Sequence, residues 1–114
     1  MGYETIIYEK DSRIAHITLN RPGRLNAYDI QMMNELVDIW KDFGADSDMR
    51  VAILTGAGKG FCGGLDLAER ELTVPDISDT LGYTPRKSGV FKPVICAVNG
   101  ACAGGGLRFL LESD

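Results

Sequence analysis

Two glycine-rich segments are the most specific indication of a chemical function in this sequence. The first, GAGKGFCGG, covers residues 56–64 and has five glycines in nine positions. The second, GACAGGG, covers residues 100–106. Such loops let backbone N–H groups approach an anion closely, because no Cβ stands in the way. The anion is either a bound phosphate or a negative charge that develops in a transition state.

Phosphate binding by the first segment is one hypothesis. Gly58, Gly60 and Gly63 match the GxGxxG pattern of dinucleotide-binding loops. That fingerprint also needs a helix at the third glycine and an acidic residue at the end of the next strand. Gly64 interrupts the expected helix, and Asp76 lies in a Pro-containing turn. GAGKG also lacks the Ser or Thr of a P-loop. A nucleotide-binding site is therefore the least favoured of the functions considered for this sequence.

The alternative treats both segments together. Each follows an apolar run, Val51 to Thr55 and Lys92 to Gly100, that is typical of a strand buried on both faces in a parallel sheet. Crossover connections bring the ends of parallel strands to the same side of the sheet. Two glycine turns there can direct one N–H each at a single carbonyl oxygen, which makes an oxyanion hole.

The other elements indicate an α/β organisation in one domain. ETIIYEK and RIAHITLN predict a β-hairpin with Asp11 and Ser12 in the turn. A helix follows, with Asn26 as its cap, Asp29 in the capping-box position and Gly44 at its end. Helical segments are predicted after each glycine loop, near DLAER and at GGGLRFLLE. The two strand–glycine–helix units predict parallel strands.

Hydrophobic periodicity identifies the core. One face of the second strand is predicted to be formed by Ala15, Ile17 and Leu19. The core stripe of the helix is predicted to be Met33, Leu36, Val37, Trp40 and Phe43. His16 lies on the opposite side of its strand, which favours a surface position.

Composition excludes several classes of protein. The chain has 114 residues, 45% of them hydrophobic, and a net charge of −4, which indicates a globular domain without a basic surface for nucleic acid or an anionic membrane. MGYETIIYEK lacks a signal or transit pattern, and no apolar run is long enough for a membrane span. Cys62, Cys96 and Cys102 form no CxxC, so neither a disulfide framework nor a metal site is predicted. We expect a cytoplasmic protein.

Three segments resemble the enoyl-CoA hydratase/isomerase (crotonase) superfamily: LNRPGRLNA, ILTGAGKGFCGGLDL and KPVICAVNGACAGGG. The resemblance implies a spiral of ββα repeats that assembles into homotrimers or hexamers and binds an acyl-coenzyme A substrate. It implies no separate cofactor, because coenzyme A is part of the substrate. Residues 1–114 would form the N-terminal portion of a single crotonase-like domain, with the C-terminal part expected outside this chain, and the 114 residues alone are predicted to be inactive.

The resemblance also assigns roles to residues. The two oxyanion N–H groups would be those of Leu65 and Gly105. The path of coenzyme A would be lined by Leu65, Asp66, Leu67 and Ala68. Arg24 and Lys59 would meet the phosphates, with a solvated surface charge as the alternative for each.

One position departs from the family pattern. Hydratases carry a catalytic glutamate three residues after the middle glycine of GGG, and that residue is Arg108 here. Water addition needs a base and an acid, and an arginine with a pKa above about 12 is neither. Glu112, one turn further on, is predicted to pair with Arg108. The leading hypothesis is an acyl-CoA enzyme that is not a true hydratase, and the alternative is a non-catalytic acyl-CoA-binding or structural subunit.

Overall fold

A four-stranded mixed sheet with the order β1–β2–β3–β5 organises the chain. The computed structural model describes residues 2–66 and 83–114, so the predicted helix near DLAER lies outside the described residues. The strands of this sheet are β1 (Ile6–Asp11), β2 (Ile14–Leu19), β3 (Val51–Gly56) and β5 (Val94–Ala97). β1 and β2 are antiparallel, whereas β2–β3 and β3–β5 are parallel. The predicted parallel α/β organisation is confirmed.

The turn of the β1–β2 hairpin lies one residue later than predicted. Asp11 still pairs with Ile14, so Ser12 and Arg13 form the turn. Both have positive φ, 52° and 69°, as in the two-residue turns whose twist matches that of the flanking strands. The prediction placed Asp11 in the turn because Asp is a common turn residue, but strand pairing extends through it.

The core lies between this sheet and helix α1 (Ile30–Ala45). The predicted strand residues Ala15, Ile17 and Leu19 are fully buried. On the helix, four of the five predicted residues are buried, namely Met33, Leu36, Trp40 and Phe43. The fifth, Val37, is half-buried at the edge of the stripe. The hydrophobic pattern therefore identified the core correctly.

Helix α1 begins and ends differently from the prediction. Asp29 is the N-cap, and its carboxylate accepts a hydrogen bond from the Met32 N–H at 2.8 Å. Asn26 is not the cap, because it has a positive φ of 56° and its side chain is used elsewhere. The helix also continues through Gly44 to Ala45, so Gly44 does not terminate it.

The carbonyl end of α1 is satisfied by a side chain. Lys92 Nζ donates to the carbonyl oxygens of Phe43 and Asp46, at 2.7 and 2.6 Å. A cation at this end also suits the helix dipole. This contact removes the need for a terminating glycine and ties α1 to the segment that leads into β5.

The prediction that the parallel strands are buried on both faces is wrong for this chain. β3 alternates, with Ala52 and Leu54 buried and Val51 and Ile53 only half-buried. β5 is also shorter than predicted. No described element covers the face of the four-stranded sheet that lies opposite α1. The large apolar side chains exposed in the described residues are Ile7, Leu25, Leu65, Phe91, Ile95, Val98, Leu107 and Leu111.

The two glycine segments form a second, two-stranded parallel sheet. Its strands are β4 (Gly60–Cys62) and β6 (Ala101–Cys102). A 3-10 turn, Gly104–Gly106, leads from β6 into a short helix, α2 (Leu107–Leu111). Within the described ranges, no helix is both long enough and apolar enough to cross a bilayer.

Candidate active site

The backbones of the two glycine segments touch each other. The Ala103 N–H donates to the Cys62 carbonyl at 3.1 Å. A Cβ on Gly64 would lie 3.2 Å from the amide nitrogen of Gly105, and one on Gly106 would lie 2.7 Å from the Cys62 carbonyl oxygen. The glycines are thus needed for close approach, and the segments lie side by side.

Asn26 holds the first glycine segment from within the core. It is fully buried, and its Nδ2 donates to the carbonyl oxygens of Ala57 and Gly60, both at 2.9 Å. Its Oδ1 accepts from the Arg21 N–H at 2.8 Å. The positive φ of Asn26 suits an Asn because its short polar side chain tolerates this conformation. The sequence prediction took the same residue as a helix cap and missed this role.

Asn99 holds the same segment from the other side. Its Oδ1 accepts from the Gly56 N–H at 3.1 Å, and its Nδ2 donates to the carbonyls of Gly58 and Gly60 at 3.1 and 3.2 Å. The Gly60 carbonyl therefore receives hydrogen bonds from both asparagines. The sequence analysis did not single out Asn99, although its place directly before the second glycine segment was a usable signal.

Leu65 is fixed by a parallel bridge to Tyr28. The Tyr28 N–H donates to the Gly64 carbonyl and the Asp66 N–H donates to the Tyr28 carbonyl, both at 2.8 Å. In a parallel bridge these neighbours take the bonds, so the N–H of Leu65 itself points to the opposite side. Leu65 is partly exposed. No described residue accepts a hydrogen bond from its N–H.

Gly105 occupies the first turn after β6. The Gly106 N–H bonds back to Ala103 at 2.9 Å, whereas no described residue accepts from the N–H of Gly105. The first amides of a helical turn have no acceptor within that turn. The two peptide groups predicted for the oxyanion hole, at Leu65 and Gly105, therefore lie on touching segments, and neither N–H is bonded to a described residue.

A tyrosine hydroxyl lies directly beside Gly105. Tyr28 is 6% exposed, and a Cβ added at Gly105 would overlap its Oη. The hydroxyl oxygens of Tyr83 and Tyr28 lie 3.4 Å apart, and the two ring centroids are 5.0 Å apart. Burial raises the pKa of Tyr28 above its usual value, and the Arg108 guanidinium opposes this rise. Tyr28 was not predicted as a site residue, because nothing local in the sequence links it to Gly105.

A groove of about 430 Å³ adjoins Leu65. It is lined by Arg24, Leu25, Ala27, Gly63, Leu65 and Asp66. Asp66 is 4% exposed, and its carboxylate accepts from Arg24 Nη2 at 2.8 Å and pairs with Arg21 Nη1 at 3.1 Å. The Arg24 side chain is 58% exposed, so a buried carboxylate orients a cation that remains open to solvent.

The other residues discussed for the site either do not line this groove or lie outside the described residues. Lys59 is exposed in the turn between β3 and β4 and does not line the groove. Leu67 and Ala68 lie outside the described residues. Arg108 is exposed on α2. The structure therefore brings Arg24, Leu65 and Asp66 into one groove.

The predicted pairing of Glu112 with Arg108 is wrong. The Glu112 carboxylate instead accepts from the backbone N–H of Arg86 at 3.0 Å. The ion pairs formed between described residues include none from Arg108 to Glu112. The backbone N–H of Arg86 offers Glu112 a donor from another part of the chain, which helical spacing alone does not reveal.

The cysteines have the properties of packed side chains. Cys62 is fully buried, and burial raises the pKa of its thiol to about 11. Burial also raises the pKa values of Cys96 and Cys102. Protonated thiols are poor nucleophiles, so this chemistry does not support a cysteine nucleophile at the site.

Comparison with known families decides the family of the chain. The family model described as enoyl-CoA hydratase/isomerase matches residues 9–114. The chain belongs to the enoyl-CoA hydratase/isomerase family. This membership confirms the superfamily predicted from the three sequence segments.

Curated members of the enoyl-CoA hydratase/isomerase family differ in the reaction that their names state. The 1,2-epoxyphenylacetyl-CoA isomerase of Escherichia coli K12 is 38% identical over 120 residues, which cover 97% of this chain and 46% of that protein. The (E)-benzylidenesuccinyl-CoA hydratase of Thauera aromatica is 36% identical, over 96% of this chain and 44% of that protein. The chain thus spans about half the length of the curated relatives it matches.

Solved structures of the enoyl-CoA hydratase/isomerase family share this fold. An enoyl-CoA hydratase/isomerase from Mycobacterium paratuberculosis superposes with a TM-score of 0.87 at 33% identity, over 99% of this chain and 47% of that one. The enoyl-CoA hydratase of Mycobacterium tuberculosis H37Rv gives 0.82 at 37% identity, over 97% and 46%. The predicted fold class, an incomplete crotonase fold, is confirmed.

Proposed function

We propose that this chain carries the oxyanion hole of an acyl-CoA thioester enzyme, formed by the N–H groups of Leu65 and Gly105. The observation that carries the proposal is the contact between the two glycine segments, where a Cβ on Gly64 would lie 3.2 Å from the Gly105 nitrogen. Leu65 follows Gly64 directly, so its N–H belongs to a peptide group at the same contact.

Two fixed N–H donors suit an enolate intermediate. When a proton leaves the carbon next to a thioester carbonyl, negative charge moves onto the carbonyl oxygen. Donors that are already in place stabilise that charge without reorganisation, and loss of one donor typically costs about 10²–10³ in rate. The asparagine bonds to the first glycine segment support this role, because they hold its backbone rigid.

The groove beside Leu65 suits the coenzyme A portion of the substrate. Arg24 presents an exposed guanidinium next to Leu65, and guanidinium groups bind phosphate oxygens bidentately. Asp66 acts as a positioning residue, because its buried carboxylate holds both arginines. Lys59 does not line the groove, so it would meet a phosphate only if the ligand extends beyond the groove across the surface.

The reaction proposed for this site is not water addition. Arg108 stands where a hydratase glutamate would be, and an arginine cannot exchange a proton at neutral pH. Its positive charge instead acts to lower the pKa of Tyr28, so it adds positive potential on the side of Gly105. We place the reaction among those that pass through a thioester enolate, such as isomerisation, with the base supplied from outside the described residues.

Acetoacetyl-CoA, whose enolate resembles the intermediate, tests the oxyanion hole. Calorimetric titration of the protein that carries this chain is expected to show binding that falls at least about tenfold in Gly105→Pro, which deletes one N–H. Gly105→Ala is the matched control, because it introduces the same overlap with Tyr28 Oη but keeps the N–H, and it is expected to lose less affinity than Gly105→Pro. If Gly105→Pro retains its fold by circular dichroism and binds as tightly as the unmodified protein, the oxyanion hole is assigned wrongly.

A second candidate function is a non-catalytic acyl-CoA-binding or structural subunit, which Arg108 favours. It predicts tight acyl-CoA binding without turnover of any thioester substrate. Hydration of crotonyl-CoA is measured as the loss of the absorbance of its double bond. Such activity would eliminate this candidate, and it would also contradict the proposal that the reaction is not water addition.

We further propose that the complete protein forms a homotrimer or hexamer and that these 114 residues alone are inactive. Large apolar side chains that are exposed in this chain support both statements, among them Ile95 on β5, Phe91 before it and Leu111 on α2. Exposed apolar surface is often covered by other parts of a protein. Light scattering of the complete protein tests the oligomer, and a thioester turnover assay of this chain tests its inactivity.

A further inference from the structure

The hydroxyl group of Tyr28 lies beside one residue of the proposed oxyanion hole, Gly105. It occupies the space beside the Cα of Gly105 that a Cβ would fill. The backbone of the same residue forms the parallel bridge that orients the Leu65 peptide. One residue therefore touches both of the segments that supply the two N–H donors.

The hydroxyl group of Tyr28 can donate to a ligand. Its contact with the Tyr83 hydroxyl is long, at 3.4 Å between the oxygens, and each hydroxyl carries one proton and two lone pairs. Tyr28 can therefore accept from Tyr83 and direct its own proton at another acceptor. A buried hydroxyl normally finds an acceptor, and this one lies beside the place where a charged oxygen is proposed to sit.

The ring of Tyr28 is held in a fixed position. It packs against the Tyr83 ring at 5.0 Å between centroids, and Tyr83 in turn meets Phe109 edge-on at 5.6 Å. A tyrosine hydroxyl is protonated at neutral pH, and burial raises the pKa of Tyr28 further. A rigid, neutral hydroxyl is a suitable preorganised donor to a developing anion.

From this geometry we infer that the Tyr28 hydroxyl is a third hydrogen-bond donor to the thioester oxygen, beside the N–H groups of Leu65 and Gly105. The inference rests on the proposed function. Tyr28 transfers no proton in this role. It donates a hydrogen bond that strengthens as charge accumulates on the oxygen.

A comparison of two ligands tests the inference. Acetoacetyl-CoA can bind as an enolate, whereas butyryl-CoA offers only a neutral thioester oxygen. In Tyr28→Phe, which removes the oxygen and keeps the ring, affinity for acetoacetyl-CoA under enolising conditions is expected to fall about tenfold to a hundredfold. Affinity for butyryl-CoA is expected to change by less than about threefold, because a bond to a neutral acceptor is weaker.

The enolate absorbance of bound acetoacetyl-CoA gives a second readout. Loss of the Tyr28 donor is expected to raise the pH at which the bound ligand enolises, which a purely structural role would not do. Tyr83→Phe is the matched control, since it removes a hydroxyl from the same pair without removing the donor, and it is expected to have the smaller effect.

The possible results are distinguishable. Equal losses for both ligands, or no loss for either, in a folded Tyr28→Phe protein would overturn the inference and leave the two N–H donors in place. If the unmodified protein binds neither ligand, the proposed function fails and the inference fails with it. Should Tyr28→Phe not fold, Gly105→Ala serves instead, because its methyl group displaces the hydroxyl and retains both N–H groups. The same selective loss of the enolate is expected.

Discussion

The hydroxyl oxygen of Tyr28 lies in the space that a side chain at residue 105 would require. An added Cβ would also come within 2.8 Å of Tyr28 Cζ. The two residues are far apart in the sequence but constrain each other, since glycine at 105 permits the tyrosine and the tyrosine excludes any larger residue at 105.

This constraint predicts a compensating pair of substitutions. Gly105→Ala is expected to destabilise the protein by about 1–3 kcal/mol, the usual cost of overpacking. In a Tyr28→Phe background the same substitution is expected to cost less, because the overlapping oxygen is gone and only a small shift of the ring remains. Urea denaturation of the four proteins measures the coupling. Equal costs in both backgrounds would contradict the geometry, and Gly23→Ala is the benign control.

Truncation of the Asn26 side chain is expected to cause a large loss of stability. Asn26→Ala removes three hydrogen bonds and leaves the buried carbonyls of Ala57 and Gly60 with fewer donors. The expected cost is about 2–4 kcal/mol of the free energy of unfolding. Asn34→Ala, at an exposed position on α1, is expected to change it by less than about 0.5 kcal/mol. Similar denaturation midpoints for the two variants would contradict the assigned role.

Asp66→Asn tests the buried carboxylate under the groove. The substitution keeps the shape of the side chain and removes the charge that faces Arg21 and Arg24. We expect a loss of about 1–3 kcal/mol, below the usual cost of breaking a buried pair because Arg24 is largely exposed. Thermal denaturation alongside Asp48→Asn, at an exposed site, measures the difference. An effect no larger than that of the control would show that the carboxylate does not organise the arginines.

The raised pKa of the Cys62 thiol predicts slow chemical modification of this residue in the native protein. Its thiol pKa is raised from 9.0 to about 11, so the thiolate fraction at pH 8 is about a hundredfold below that of the unfolded chain. Iodoacetamide is therefore expected to modify Cys62 at least about a hundredfold more slowly in the native protein than in urea. Peptide mass spectrometry over time measures the rates, and rapid native labelling would contradict the burial.

The same shift has a consequence for stability. A pKa raised in the folded state contributes stability below the unfolded value, and that contribution is lost as the pH rises from about 9 towards 11. Urea midpoints of the native protein should fall across this range, and Cys62→Ala should fall less. An equal fall in both proteins would assign the effect to other groups.

Local patterns in the sequence predicted the elements and the core of this fold well. Alternation in β2 and helical spacing in α1 identified the buried faces, because both reflect contacts that repeat along one element. The choice of Asn26 over Asp29 as the helix cap was wrong because both residue types suit a cap, and only distant carbonyls at residues 57 and 60 decide between them.

The site was predictable only in its backbone part. Glycine density marks places where backbones approach, so the segments that carry Leu65 and Gly105 were found without coordinates. Tyr28 was missed because its hydroxyl meets Gly105 through tertiary packing. The partner of Glu112 was mispredicted for the same reason, since the Arg86 N–H comes from a separate loop.

The Gly60 carbonyl, which receives bonds from both Asn26 and Asn99, has a consequence for biosynthesis. Asn26 leaves the ribosome early, but Asn99 follows only after nearly all of this chain has been translated. A nascent chain that ends before Asn99 can assemble the β1–β2 hairpin and α1 while its first glycine loop still lacks one of its two clamps. The first glycine loop therefore obtains its full set of side-chain hydrogen bonds only after Asn99 has been translated.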